Sequence, residues 1–241
     1  MKNKNILVFG GSRGIGRVFA QKRVNNGDNV YVFSRSWKKQ EEFEPIFIST
    51  NFCEINNVKK QLLKVLPDLK KIDALVFTQR YRGNEDDWKS EMASSVDLFK
   101  EVMELCYPYL KKNASVVAIS SNAAKSVAIE QPVSYHAAKA ALEQMIRYFA
   151  VKFSDKKIRV NGVSPAITLK PENIKFYNEE KNLKKMFSQA IPLGRMCESK
   201  DVCNVIDFLL SKQSSFITGQ TLVVDGGLSL MTPEVLLRNK N

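Results

Sequence analysis

Ser134-Tyr135-His136-Ala137-Ala138-Lys139 holds the residue types best suited to chemistry in this chain. Tyr135 and Lys139 are four apart, so on a helix they project from one face. An ammonium one helical turn from a phenol favours the phenolate and so tunes the phenol as an acid. Such a phenol can give its proton to a carbonyl oxygen as hydride reaches the carbonyl carbon. The spacing alone is common among helices, and its setting gives it weight. Upstream, the run Val116–Ile119 reads as a strand and ends in Ser120-Ser121-Asn122. A serine at that carboxyl end lies where open α/β sheets bind ligands, and its hydroxyl can bond the same substrate oxygen. His136 sits one residue, about 100°, around the helix from Tyr135, which turns it toward a neighbouring helix or subunit.

A second constellation opens the chain. Ile6–Phe9 runs into Gly10-Gly11-Ser12-Arg13-Gly14-Ile15-Gly16 and then into a helical stretch. Glycines let the backbone turn sharply and approach a pyrophosphate, while the helix N-terminus offers free N–H groups and a positive dipole. The spacing is GxxxGxG rather than GxGxxG, in the same strand–turn–helix setting. Cofactor choice is read at the end of the second strand, Phe33-Ser34-Arg35-Ser36, where no carboxylate occurs before Glu41. NAD enzymes place an acid there for the ribose 2′-hydroxyl. Arg35 can instead grip a 2′-phosphate, with Arg13 approaching from the glycine turn, so NADP(H) is preferred over NAD(H). The competing reading makes Arg35 an exposed loop charge.

The elements that position these groups alternate along the chain. Ile6–Phe9, Val30–Phe33, Ile46–Ile48, Ala74–Phe77, Val116–Ile119, Arg159–Val163 and Thr221–Val224 read as strands, apolar enough for burial on both faces. Residues 15–26, 54–65, 88–110, 134–154 and 199–211 carry helical spacing. The alternation predicts an α/β fold, a single Rossmann-like doubly wound parallel sheet of about seven strands spanning 1–241. The stretch 165–195, punctuated by Pro165, Pro171 and Pro192, reads as irregular, and a lid over the substrate is expected at 168–192. There Lys170, Lys175, Lys181, Lys184 and Lys185 accompany Phe176, Tyr177, Met186 and Phe187.

Composition narrows the function classes. No run approaches the ~20 apolar residues that span a bilayer, and the N-terminal apolar run is too short for a signal-peptide core. Cys53, Cys106, Cys197 and Cys203 show no metal-ligand spacing, so no metal site is expected and the thiols read as reduced, in a cytoplasmic setting. The net charge of +12 is dispersed over lysine pairs rather than gathered in a basic stripe with aromatics. A nucleic-acid partner is therefore not expected, whereas anionic substrates or acidic partners stay open.

Taken in order, these motifs resemble the short-chain dehydrogenase/reductase family over residues 5–230. Ile158-Arg159-Val160-Asn161, Ser164-Pro165, Pro192-Leu193-Gly194-Arg195, Thr218-Gly219-Gln220 and Val224-Asp225-Gly226-Gly227 extend the likeness, the last stretch being similar to 3-oxoacyl-carrier-protein reductases. The resemblance implies Ser121 as carbonyl-binding residue, Tyr135 as acid/base, and Lys139 as ribose-binding residue and modifier of the tyrosine. It places Ser95 where the family has a helix Asn of the proton relay, and Thr168 near the nicotinamide carboxamide. Gly10, Ser12, Arg13, Gly14, Ile15, Gly16, Ser34, Arg35, Asn51 and Phe52 fall on its cofactor positions. Homotetramers or homodimers packed through 88–110 and 134–154 are implied as well. The chain departs from the pattern at Phe9 (Thr in the family), Asn51 (Asp), Ala166 (Gly) and Thr78-Gln79-Arg80-Tyr81 (Asn-Asn-Ala-Gly). Arg80 and Arg82 are either solvated loop charges or contacts for an anionic group of substrate or cofactor. The function implied is NADP(H)-dependent interconversion of a ketone and a secondary alcohol, on a small-molecule substrate that is anionic or carrier-bound in some readings. A 3-oxoacyl thioester and a keto-sugar or other polar metabolite stand side by side, and a non-catalytic NADP(H) sensor is the alternative class.

Overall fold

The computed structural model describes residues 3–38, 44–69, 71–83, 87–232 and 234–235. Strand β1 (Asn5–Phe9) leads into α1 (Gly14–Asn25), then β2 (Asn29–Ser34), β3 (Ile46–Ser49), α2 (Ile55–Val65) and β4 (Ile72–Phe77). Next come α3 (Trp88–Met92), α4 (Leu98–Cys106), β5 (Leu110–Ile119), α5 (Val133–Lys152) and β6 (Arg159–Pro165). The chain finishes through β7 (Thr168–Leu169), α6 (Ile174–Glu179), α7 (Lys181–Ala190), β8 (Cys197–Glu198), α8 (Ser199–Leu209) and β9 (Thr221–Val224). Seven strands pair in parallel in the order β3-β2-β1-β4-β5-β6-β9, while β7 and β8 form a separate two-stranded pair. The order reverses between β1 and β4, which opens a crevice at their carboxyl ends.

Alternation along β1 sends Ile6 and Val8 to one face of the sheet and Leu7 and Phe9 to the other. The first face packs on Ile15 and Phe19 of α1 and on Val202 and Ile206 of α8. The second packs on Leu62 of α2, Val102 of α4 and Leu142, Ile146 and Phe149 of α5. With both faces covered, β1, β4 and β6 are buried nearly throughout, whereas the edge strand β3 is largely exposed. Phe9, where a threonine was the expected type, stacks between Phe33 (4.8 Å) and Phe77 (4.9 Å), and the rings continue through Phe99 to Phe149.

Three boundaries differ from the sequence reading. The helix expected over 88–110 is broken by a π-turn at Ala93–Asp97 and closes in a 3-10 turn at Tyr107–Tyr109. Strand β5 starts at Leu110 rather than Val116, because Asn113 takes φ 64° and the register with β4 shifts between Ile72 and Ala74. The stretch 165–195 is not irregular, since it folds into β7, α6 and α7. Its prolines fall at element edges: Pro165 ends β6, Pro171 precedes α6 and Pro192 follows α7. No helix among the described residues is long and apolar enough to cross a membrane.

Candidate active site

The turn after β1 is shaped by close approach. Gly10 has φ +93°, and a Cβ there would lie 2.5 Å from Gln79 Cα. A Cβ on Gly16 would run into Thr78 Oγ1 and the Gly10 carbonyl oxygen. Thr78 Oγ1 is hydrogen-bonded to the carbonyl oxygens of Phe9 (3.1 Å) and Gly10 (3.2 Å), which presses the turn against the exit of β4. Arg13 precedes α1 without capping it, so the first-turn N–H groups of Gly14, Ile15 and Gly16 face the crevice end of the helix uncapped by that side chain. Gly14 N–H donates to Glu172 Oε2 at 3.0 Å, and Glu172 Oε1 lies 3.2 Å from Arg82 Nη2. A carboxylate thus stands where the dipole favours an anion, and the turn fits the phosphates of a dinucleotide by the same chemistry.

At the end of β2, Ser34 donates to Ser12 (2.7 Å), joining that strand to the glycine turn, and Arg13 and Arg35 are both exposed beside the junction. Sequence reasoning passed over Arg17, four residues after Arg13. Its guanidinium donates to the Lys38 (2.8 Å) and Ser12 (3.3 Å) carbonyl oxygens and lies 4.4 Å over the Trp37 ring, holding the segment after β2. Asn51 is engaged in its own turn, donating to Glu54 Oε1 (2.7 Å) and accepting from Cys53 N–H (3.2 Å). Phe52 lies 6.5 Å from the Phe9 ring.

Around Tyr135 the expected residues converge from β5 and α5. Tyr135 is 9% and Lys139 3% exposed. Lys139 Nζ donates to the Ile119 carbonyl oxygen (2.9 Å), at the end of β5, and lies 5.6 Å from the Tyr135 ring centroid. Ser121 accepts from Ala123 N–H (3.2 Å) and donates to Asn122 Oδ1 (3.1 Å), capping a 3-10 turn that packs on α5. Thr168 is buried and donates to the Ala166 carbonyl oxygen (2.7 Å). Ser95 sits on the π-turn, a device rare in helices and frequent at functional sites. Its hydroxyl is spent on buried Glu91 (2.7 Å), and no direct hydrogen bond joins it to Lys139. His136 accepts from Ala128 N–H (3.0 Å) through Nε2 and contacts the Pro132 carbonyl oxygen (2.9 Å) through Nδ1, so it pins the loop before α5.

Four further groups went unflagged or unresolved in the sequence. Buried Glu143, two turns past Tyr135, accepts from Ser120 (2.9 Å). The Arg80 guanidinium lies 4.8 Å over the Tyr135 ring and donates to Gln131 Oε1. Burial, with Arg82 and Arg80 nearby, pushes the Lys170 ammonium below the ordinary lysine range, and Glu172 opposes that shift. Glu172 lies 158 residues from Gly14, a separation no local pattern reveals.

Comparison with known proteins gives a consistent result. Residues 10–229 match the family model described as Enoyl-(Acyl carrier protein) reductase. The chain is 30% identical to the 3-oxoacyl-[acyl-carrier-protein] reductase FabG of Chlamydia pneumoniae, covering 94% of this chain and 97% of that one. It is 28% identical to a 7alpha-hydroxysteroid dehydrogenase of Bacteroides fragilis, covering 98% of both. Among solved structures, the aldohexose dehydrogenase of Thermoplasma acidophilum superposes with a TM-score of 0.83 at 25% identity, covering 96% of each chain.

Proposed function

The chain belongs to the short-chain dehydrogenase/reductase family, oxidoreductases that act on CH–OH or C=O groups with NAD(P)(H), and from that premise we propose an NADP(H)-dependent reductase converting a ketone to a secondary alcohol. The observation that carries this reading is the convergence of Tyr135 and Lys139 with the end of β5, where Ser121 lies. NADP(H), when bound, supplies the hydride. Tyr135 gives its phenolic proton to the carbonyl oxygen, and Ser121 donates a hydrogen bond to the same atom. Lys139, aimed by the Ile119 carbonyl, would bind the cofactor ribose beside Tyr135. Gly10, Ser12, Arg13, Gly14, Ile15 and Gly16 hold the pyrophosphate, Asn51 and Phe52 the adenine, and Thr168 the nicotinamide end. The NADP(H) preference is supported by exposed Arg13 and Arg35 beside the Ser12–Ser34 junction, with no acid among residues 33–38. Segment 168–192 serves as the lid, and Ser95 acts at the site's edge through its bond to Glu91. Exposed Tyr148 and Val151 on α5 support assembly into a homotetramer or homodimer. The four free thiols agree with a cytoplasmic enzyme.

The substrate class nearest this reading is a 3-oxoacyl-type ketone, given the FabG relative. A keto-sugar is the second reading, favoured by the glucose 1-dehydrogenase of Gluconobacter oxydans among the relatives. The test is NADPH oxidation against a panel of ketones. Tyr135→Phe is expected to abolish turnover while NADPH still raises the thermal midpoint. Undiminished turnover in Tyr135→Phe overturns the mechanism.

A further inference from the structure

We propose that Arg80 forms an anion-binding subsite beside Tyr135, selecting a small keto compound with a carboxylate or phosphate close to its carbonyl. The inference rests on Tyr135 being the proton donor of the proposed reaction. The Arg80 guanidinium lies 4.8 Å over the Tyr135 ring and gives one N–H to the Gln131 amide. Both partners are neutral, so neither cancels its charge. Among the described residues no carboxylate pairs with Arg80, and no further acceptor takes its remaining donors. With one N–H on Gln131 and its face toward the Tyr135 ring side, the guanidinium keeps further N–H donors for a carboxylate or phosphate, which arginine can grip bidentately.

The surroundings agree. Arg80, Arg82 and Lys139 all act electrostatically on Lys170, and the carboxylate that offsets them there is Glu172, already engaged by Gly14 and Arg82. An entering anion therefore meets excess positive charge at the crevice, within a protein of net charge +12 that draws anions toward it. Arg80 touches the ring that bears the donor hydroxyl, which sets the anion within a few bonds of the reacting carbonyl. Within the proposed 3-oxoacyl class the subsite favours the free 3-oxo acid and similar small anions, since a neutral thioester there would cover Arg80 without pairing it, at a cost in binding energy.

The experiment compares matched pairs with NADPH: acetoacetate against its methyl ester, and dihydroxyacetone phosphate against dihydroxyacetone. In the unmodified protein the anionic member of at least one pair is expected to lead in kcat/KM by about 10-fold or more. The pair that shows it identifies the anion. In Arg80→Met that ratio falls to near parity, chiefly through a raised KM for the anion, and Arg80→Lys recovers part of it. A ratio unchanged in Arg80→Met, or preference for the neutral member in both pairs, overturns the subsite while leaving the reductase reading intact. If none of the four is reduced, malonate is titrated into the NADPH-bound protein, with NADPH fluorescence as the readout. Malonate binding lost in Arg80→Met upholds the subsite and leaves the reductase reading to the wider ketone panel. Binding that is absent, or indifferent to Arg80, overturns the subsite too.

Discussion

In the proposed reading, the glycine turn that would hold a dinucleotide's pyrophosphate already gives its Gly14 N–H to Glu172, so Glu172→Gln should tighten cofactor binding. Its carboxylate accepts from Gly14 N–H at 3.0 Å and pairs with Arg82 at 3.2 Å, with the two side chains 29% and 43% exposed. A hydrogen bond from an amide to a charged acceptor contributes about 1.5–3 kcal/mol when buried, and the helix terminus adds about 0.3–1. Exposure discounts the Arg82 pair to between about 0 and 1 kcal/mol. With solvent screening applied throughout, about 1–2 kcal/mol must be given up when the cofactor enters, equivalent to roughly 5- to 30-fold in apparent affinity. Glutamine keeps the size and a weaker acceptor, so the lower half of that range is expected for the drop in NADPH Kd. Fluorescence titration reads it directly. Glu180→Gln, which removes an acid from the same segment away from Gly14, controls for the general field. An equal effect in both variants, or weaker NADPH binding in Glu172→Gln, refutes the displacement argument.

Other outcomes are equally open to measurement. Arg35→Leu should weaken NADPH binding by about 10-fold or more with little change for NADH, and equal losses for both would remove Arg35 from the 2′-phosphate. Asp201 accepts from Glu198 N–H (2.9 Å) and from Arg195 (2.6 and 2.9 Å), and the Arg195 bond holds its carboxyl below the usual range. A depressed folded value means the stabilisation is present at neutral pH and fades as pH falls through that value. Asp201→Asn should thus cost about 1 kcal/mol in neutral urea melts, with the difference shrinking in acid. Of the thiols, Cys53 is half-buried, while burial raises Cys106 and takes Cys203 up to about 12. A maleimide should label Cys53 first in the native protein, and NADPH should slow the labelling if the segment after β3 lines the adenine site.

The sheet was legible because its central strands are dry on both faces, leaving β1, β2 and β4 as largely apolar runs, while β6 (Arg159–Pro165) is buried but mixed in composition. Tyr135 and Lys139 were legible because a helix fixes the distance between residues four apart. What the sequence hid lies in two kinds of place. Helix α7 was concealed by prolines that punctuate its surroundings without entering it, and β5 began early because Asn113 absorbs a register shift in a left-handed conformation. The remainder depends on remote pairings: Gln131 reaches Arg80 across 51 residues and Glu172 reaches Gly14 across 158. Ser95 shows the opposite limit. The family resemblance suggested it as a relay position, while the π-turn and buried Glu91 show where its hydroxyl points.

The stacked rings of Phe9, Phe33 and Phe77 carry a consequence for anyone who would transplant a relative's cofactor loop into this chain. Shortening one ring to a hydroxyl side chain strips contacts from both neighbours, so the three positions cannot drift or be engineered independently. A threonine at position 9 alone leaves a cavity between the two remaining rings, and because the stacking contacts are shared, the summed costs of the three single exchanges to smaller residues should exceed the cost of the triple.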